Sequence, residues 1–183
     1  PLGCYGDGGS IFTDSEEITS KLKSLRVHGK GVDKYDNIRI GMNSRLDTIQ
    51  AGILLEKLTI FKDEIIARNS IAEMYRQSLK NLPIRFQHIP DNYQSVYAQF
   101  SIVFNNKEIR DRIQKTLSSK NIPSVVYYGI SGHLQTGYKY LNYKNGDFPV
   151  SESLSETILS LPMHPYLTEE DIDFITNTVI EEF

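Results

Sequence analysis

Gly41-Met42-Asn43-Ser44-Arg45-Leu46-Asp47-Thr48-Ile49-Gln50 is the stretch that decides the reading of this 183-residue chain. Behind it, apolar residues recur at Leu46, Ile49, Ile53, Leu54, Leu58, Phe61, Ile65 and Ile66. Spacings of three and four place them on one face of a long helix. Ahead of it lies a polar loop with Gly29, Gly31, Asp33, Asp36 and Asn37. The pattern predicts a loop-to-helix junction, with Ser44 capping a helix that starts at Arg45 and Asp47 in its first turn. Free N–H groups at such a junction suit an anion, and an amide at Asn43 with a guanidinium at Arg45 could hold a phosphate or carboxylate. A capped helix with a solvated arginine explains the same residues, and local pattern alone does not separate the two.

Working outward toward the N-terminus, Pro1-Leu2-Gly3-Cys4-Tyr5-Gly6-Asp7-Gly8-Gly9 reads as a Gly-rich turn between short extended runs. Asp14 or Ser15 is expected to cap a helix through about Val27, with Glu16 and Glu17 in its first turn and Ile18, Leu22 and Leu25 facing inward. Gly29 closes it at the C′ position. Toward the C-terminus the helix from Arg45 is expected to run to about Leu82, where Pro83 stops it. Extended segments are expected over 84–88, 95–104 and 122–128, with a helix over 107–120 between the last two. This grammar describes a small α+β layer. A turn falls at Asn145-Gly146-Asp147, and Ser151 is a candidate cap for a short helix through Ile158. A short strand reaches Leu161, and Thr168 caps a final amphipathic helix with Asp171 three residues on.

Composition sets outer limits. The net charge is −3 and the basic residues are scattered, which argues against nucleic acid as the main partner. The single cysteine, Cys4, rules out a disulfide framework within the chain and suits a reducing compartment. No apolar run approaches membrane-spanning length. No metal is expected.

Three segments come together in one order and spacing: Pro-Leu-Gly-Cys-Tyr-Gly-Asp-Gly-Gly at 1–9, Arg26-Val27-His28-Gly29, and Gly41 through Ala51. In this the sequence resembles the DegT/DnrJ/StrS family of pyridoxal-phosphate-dependent aminotransferases, which act on keto sugars that are mostly nucleotide-linked. The resemblance extends over the whole chain. Val96-Tyr97-Ala98-Gln99-Phe100, Val125-Val126-Tyr127-Tyr128 and the Leu161-Pro162 region match later parts of the pattern.

The resemblance implies an α/β architecture, the C-terminal portion of the fold type I transferases typified by aspartate aminotransferase. Residues 1–82 would be the end of the large cofactor-binding domain and the connecting helix. Residues 83–183 would be the small α+β domain. The family's lysine that bonds the cofactor stands just before the Pro-Leu-Gly segment, so it is expected immediately before Pro1. The cofactor would be pyridoxal 5′-phosphate, the amino donor glutamate, and the acceptor a keto sugar, expected on UDP. Such enzymes build amino sugars for surface polysaccharides and glycans in the cytoplasm.

By the same resemblance, Asn43 would bind the cofactor phosphate of a neighbouring subunit and Arg45 would bind substrate anions in the shared cleft of a homodimer. Tyr127, Tyr128 and His133 would contact the substrate. Many family members have His-Tyr-Pro where this chain has Tyr127-Tyr128-Gly129, while His133-Leu134-Gln135 keeps the pattern. Packing of both tyrosines with locally bonded hydroxyls is the alternative for that pair. Two other functions stay open from sequence: a sugar dehydratase of the same fold with histidine in place of the lysine, and a non-catalytic dimerisation and substrate-binding segment.

Overall fold

A computed structural model describes residues 2–33 and 35–183; Pro1, and with it the expectation about the junction before it, lies outside the described residues. The chain forms two compact units, Leu2–Lys62 and Asp63–Phe183.

In the first unit, α1 (Glu16–Leu25) starts where a serine can serve it. Ser15 is extended, and its side chain accepts from the Ile18 amide, with Glu16 and Glu17 in the first turn. The helix stops at the Arg26 cap, two residues short of the expected end. His28 and Gly29 follow in the left-handed region, at φ 62° and 76°. There the chain turns into the polar loop, and residues 42–44 return along the end of α1. Met42 N donates to Leu25 O, His28 N to Met42 O, and Ser44 N to Arg26 O, each at 2.9 Å. The crossing is tight. A Cβ at Gly29 would lie 1.8 Å from the Arg39 carbonyl oxygen, and one at Gly41 would lie 2.1 Å from the Gly29 nitrogen. No side chain fits at either place.

This pairing corrects the expected helix start. Ser44 gives its amide to Arg26 and sits in extended backbone, so it caps nothing. The long helix α2 (Thr48–Leu79) begins four residues later than Ser44, with no acidic residue in its first turn. Asp47 instead supplies the carbonyl that accepts the first helical bond, from Ala51.

In the second unit, α2 supplies Ile71, Ala72, Tyr75 and Leu79 to the core. The apolar residues expected on the inner face nearer its start behave differently. Ile49, Leu58 and Ile66 are exposed in this chain. All the buried residues of α2 lie at or beyond Arg68. Three antiparallel strands follow in spatial order: β1 (Arg85–Phe86), β2 (Phe100–Val103) and β3 (Ile158–Leu161). Between β2 and β3 the chain forms α3 (Lys107–Ser119) and α4 (Pro149–Thr157), and it ends on α5 (Glu169–Ile180).

Alternation along β2 buries Phe100 and Ile102. These meet Leu159 and Leu161 of β3, Ile113 and Leu117 of α3, and Ile172, Ile175 and Val179 of α5. Each fully buried aliphatic side chain contributes about 1.5–3 kcal/mol relative to exposure. The Tyr75 ring stacks on Phe100 at 4.8 Å, and its hydroxyl donates to the Pro162 carbonyl at 2.9 Å. Arg68 Nη1 donates to the Tyr97 carbonyl at 3.0 Å and the Met163 carbonyl at 3.3 Å, tying α2 to the segment after β3.

Two local expectations change. The segment 122–128 makes a single bridge, Val125 to Ser160, rather than a strand. Pro123 has no N–H to extend that pairing. The short helix is capped by Phe148 with Pro149 at its first position, so Ser151 lies inside it. Two 3₁₀ turns, Gly132–Leu134 and Thr136–Leu141, lie between the bridge and that helix. The last helix forms as expected, with a capping box between Thr168 and Asp171. Among the described residues no helix is long and apolar enough to cross a membrane.

Candidate functional site

The first cluster lies in the unit Leu2–Lys62. Asn43 is fixed in backbone by its bridge to Val27, and the Arg45 Nε donates to Asn43 Oδ1 at 3.0 Å. Alternation along the extended segment turns both side chains the same way, with Ser44 between them. Both are exposed. That one bond uses the amide oxygen and orients the guanidinium. The remaining guanidinium N–H groups and the Asn43 amide nitrogen make no hydrogen bond among the described residues. A planar cation beside an amide donor matches an oxyanion, phosphate or carboxylate. The anion-binding argument therefore moves from the helix N-terminus to these two side chains.

Gln50, in the first turn of α2, has a role the sequence reading missed. Its Oε1 accepts from the Tyr5 amide at 3.0 Å and from the Cys4 thiol at 3.2 Å, and its Nε2 donates to the Tyr5 carbonyl. Lys57 Nζ reaches the Gly3 carbonyl at 2.8 Å. Together they clamp residues 3–5 onto α2. The partners lie 45 or more residues away in sequence, so local pattern gave no signal for them.

The second cluster lies in the unit Asp63–Phe183. Tyr127 and Tyr128 follow the single bridge at Val125, 40 % and 73 % exposed, with rings edge to face at 5.7 Å. They border a cavity of about 640 Å³ whose other lining includes Ser131, Asp147, Phe148 and Ser155. The Ser131 and Ser155 hydroxyls share a hydrogen bond of 2.6 Å, which fixes the cavity wall to α4. A larger cavity of about 750 Å³ lies along α2 and α5, beside Asn69, Glu73 and Asp173, and none of the candidate residues line it.

His133 is turned inward. Its side chain is 7 % exposed, and its Nε2 lies 2.9 Å from Glu152 Oε1. The ring packs on Phe148 at 4.7 Å and on Tyr143 at 6.4 Å. Glu152 is the second residue that sequence reading missed. A carboxylate in the first turn of a helix was the available signal. Burial pushes its carboxyl upward, but the amides of Gly146 and Phe148 and the His133 side chain together outweigh this and hold it below the usual carboxylate range.

The architecture, with strands, core helices and a long helix entering from a Gly-rich segment, is that of the C-terminal portion of a pyridoxal-phosphate-dependent transferase of fold type I. The chain belongs to the DegT/DnrJ/EryC1/StrS aminotransferase family, whose sequence profile matches residues 1–180. It is 41 % identical over 175 residues to the UDP-2-acetamido-2-deoxy-3-oxo-D-glucuronate aminotransferase of Pseudomonas aeruginosa, covering 96 % of this chain and 47 % of that protein. It is 35 % identical to the dTDP-3-amino-3,6-dideoxy-alpha-D-galactopyranose transaminase of Aneurinibacillus thermoaerophilus, covering 94 % and 46 %. The crystal structure of a DegT DnrJ EryC1 StrS aminotransferase from Brucella abortus superposes with a TM-score of 0.88 at 50 % identity, covering 98 % of this chain and 47 % of that one. The chain spans about half the length of the curated relatives it matches. The cofactor of the family is pyridoxal 5′-phosphate, and these relatives are nucleotide-sugar aminotransferases.

Proposed function

We propose that the protein is an aminotransferase that moves an amino group from glutamate to the keto group of a UDP-linked sugar. It would serve amino-sugar synthesis for a surface polysaccharide or glycan, in the cytoplasm, as a homodimer with shared active sites. The observation that carries this is the exposed Asn43–Arg45 pair, held at 3.0 Å with its outward donors unused. The similarity to a relative named for a UDP-linked 3-oxo sugar supports the nucleotide.

Residues 1–82 would complete the large cofactor-binding domain and its connecting helix, and residues 83–183 would form the small domain. The donor set at Asn43 and Arg45 fits pyridoxal 5′-phosphate and its substrates. Asn43 would hold the phosphate through its free amide nitrogen. Arg45 would bind the anionic part of either substrate, its guanidinium aimed by Asn43 Oδ1. When bound, the cofactor supplies an electron sink for the carbon that exchanges its amine. Tyr127 and Tyr128 would border the sugar, where a phenol can donate to or accept from a hydroxyl. His133 would act on the same substrate side, through the wall it braces with Phe148. Gln50 and Lys57 would hold residues 3–5, next to the position where the family's lysine is expected.

The test is made on the complete protein loaded with pyridoxal 5′-phosphate. Glutamate alone should bleach the cofactor's absorbance and release 2-oxoglutarate. A UDP-linked 3-keto sugar should then restore the absorbance, faster than its dTDP counterpart. Restoration by the dTDP sugar alone would overturn the nucleotide, and absence of both changes would overturn the activity.

A further inference from the structure

We propose that Glu152 is a positioning residue that shapes the sugar-binding cavity, acting through the wall it holds rather than by touching substrate. This rests on the reading that Tyr127 and Tyr128 border the sugar. Glu152 itself does not line the cavity.

Its carboxylate gathers donors from three separate places. Oε1 meets His133 Nε2 at 2.9 Å, the Phe148 amide at 3.1 Å and the Gly146 amide at 3.0 Å. Oε2 meets the Gly146 amide again at 2.8 Å. The bond to the Phe148 amide serves the cap residue's own N–H, one of the groups a helix start leaves without an intrahelical partner. The bonds to Gly146 and His133 exceed that need. Gly146 sits in the turn before the helix at φ 96°, and His133 sits in the 3₁₀ turn that follows the two tyrosines.

The aromatic packing follows the same geometry. His133, Tyr143 and Phe148 form one cluster, with Tyr143 and Phe148 rings 5.0 Å apart. The Glu152 side chain is 16 % exposed and the His133 side chain 7 %. Asp147 and Phe148, between and beside the bonded amides, line the cavity together with Tyr127 and Tyr128. One carboxylate thus fixes the segment 146–148 and the turn at His133 to the same point of α4. Loss of it frees two cavity-lining residues while leaving the core helices and strands intact. A group that orients others in this way acts as an outer-shell partner does at a ligand site.

The experiment compares wild type, Glu152→Ala and Glu152→Gln in the complete, cofactor-loaded protein. Hydrogen exchange is read at the Gly146 and Phe148 amides. Affinity for UDP-N-acetylglucosamine is read by calorimetry, and reduction of cofactor absorbance by glutamate is read separately. In Glu152→Ala, exchange at both amides should speed up, and the sugar nucleotide should bind about tenfold more weakly, with the glutamate reaction less affected. Glu152→Gln, which keeps one oxygen acceptor, should fall between. Faster exchange with unchanged sugar-nucleotide affinity would overturn the proposal and leave Glu152 a helix cap. Equal losses with glutamate and sugar nucleotide would overturn it in favour of general damage. A wild type that binds no UDP-N-acetylglucosamine would instead overturn the reading of the tyrosine cavity on which the proposal stands.

Discussion

Tyr75→Phe isolates a single hydrogen bond in the core. Tyr75 has no exposed surface, and its hydroxyl donates to the Pro162 carbonyl at 2.9 Å. Phenylalanine keeps the ring, and with it the stack on Phe100 at 4.8 Å. What changes is one bond, and a part-buried carbonyl left without its donor. A stranded buried acceptor costs about 1–3 kcal/mol, whereas a bond lost to water costs about 0.5–1.5 kcal/mol. The bond is part-buried and falls between the two cases, so the expected loss is about 0.5–3 kcal/mol. Tyr75→Leu removes the ring as well, and should cost about 1 kcal/mol more from the lost aromatic pair alone. Burial, and secondarily the charge of Asp171, push the phenol above its usual range. The raised value means the folded state keeps the proton that the unfolded chain gives up near pH 10, so the contribution is full below about pH 10 and declines above it. The chain has no tryptophan, so tyrosine near-UV dichroism during urea titration is the readout. The midpoint should fall with the slope unchanged. A Phe variant within 0.5 kcal/mol of wild type, a bound set by the smallest cost of a lost bond, would refute the assignment of the hydroxyl to Pro162.

Two further outcomes are expected. On the proposed homodimer, a dead Asn43→Ala/Arg45→Ala protein mixed with one lacking the lysine expected before Pro1 should regain about one quarter of wild-type activity after random exchange. Half the dimers are then mixed, and each has one complete site of two; no recovery, with exchange confirmed by mass spectrometry, would place both residues in their own subunit's site or in the fold alone. The second concerns Asp171, whose carboxyl is held below its usual range by the Thr168 amide first and then the Thr168 hydroxyl, against the opposing effect of burial and with help from His164. A depressed value stabilises the fold above the unfolded carboxyl's pKa of about 3.9, and that contribution disappears as pH falls through the folded value. The Tm difference between wild type and Asp171→Asn should therefore shrink as pH is lowered below about 4, and a constant difference would count against the capping carboxylate.

Local chemistry was legible in the sequence, and distant partners were not. The Thr168–Asp171 box, the Ser15 cap and the helix from Lys107 are decided within a few residues, and all three form. The start of α2 is decided elsewhere, because Ser44 spends its amide on Arg26. The strand expected over 122–128 had the right residue types, yet Pro123 and a single partner at Ser160 reduce it to one bridge. Asn43 and Arg45 were visible as a pair of suitable groups, and the structure supplies the bond between them. Glu152 offered only the signal of a carboxylate in a helix's first turn, and its bond to His133, 19 residues away, was not legible. The inward turn of His133 has the same origin.

The way residues 42–44 pair with the end of α1 makes the spacing of that segment a matter of parity. Extended backbone alternates sides with period two, so the register to Val27 decides which face Asn43 and Arg45 share. A residue inserted at the loop tip, beyond the bond from Gly31 to Asp36, leaves that register untouched. One inserted between Gly41 and Asn43 would hand the anion-facing side to Met42, Ser44 and Leu46. The close contacts at Gly29 and Gly41 lock the phase from the other end. The loop can thus change length freely on one side of the crossing, and on the other side not by a single residue.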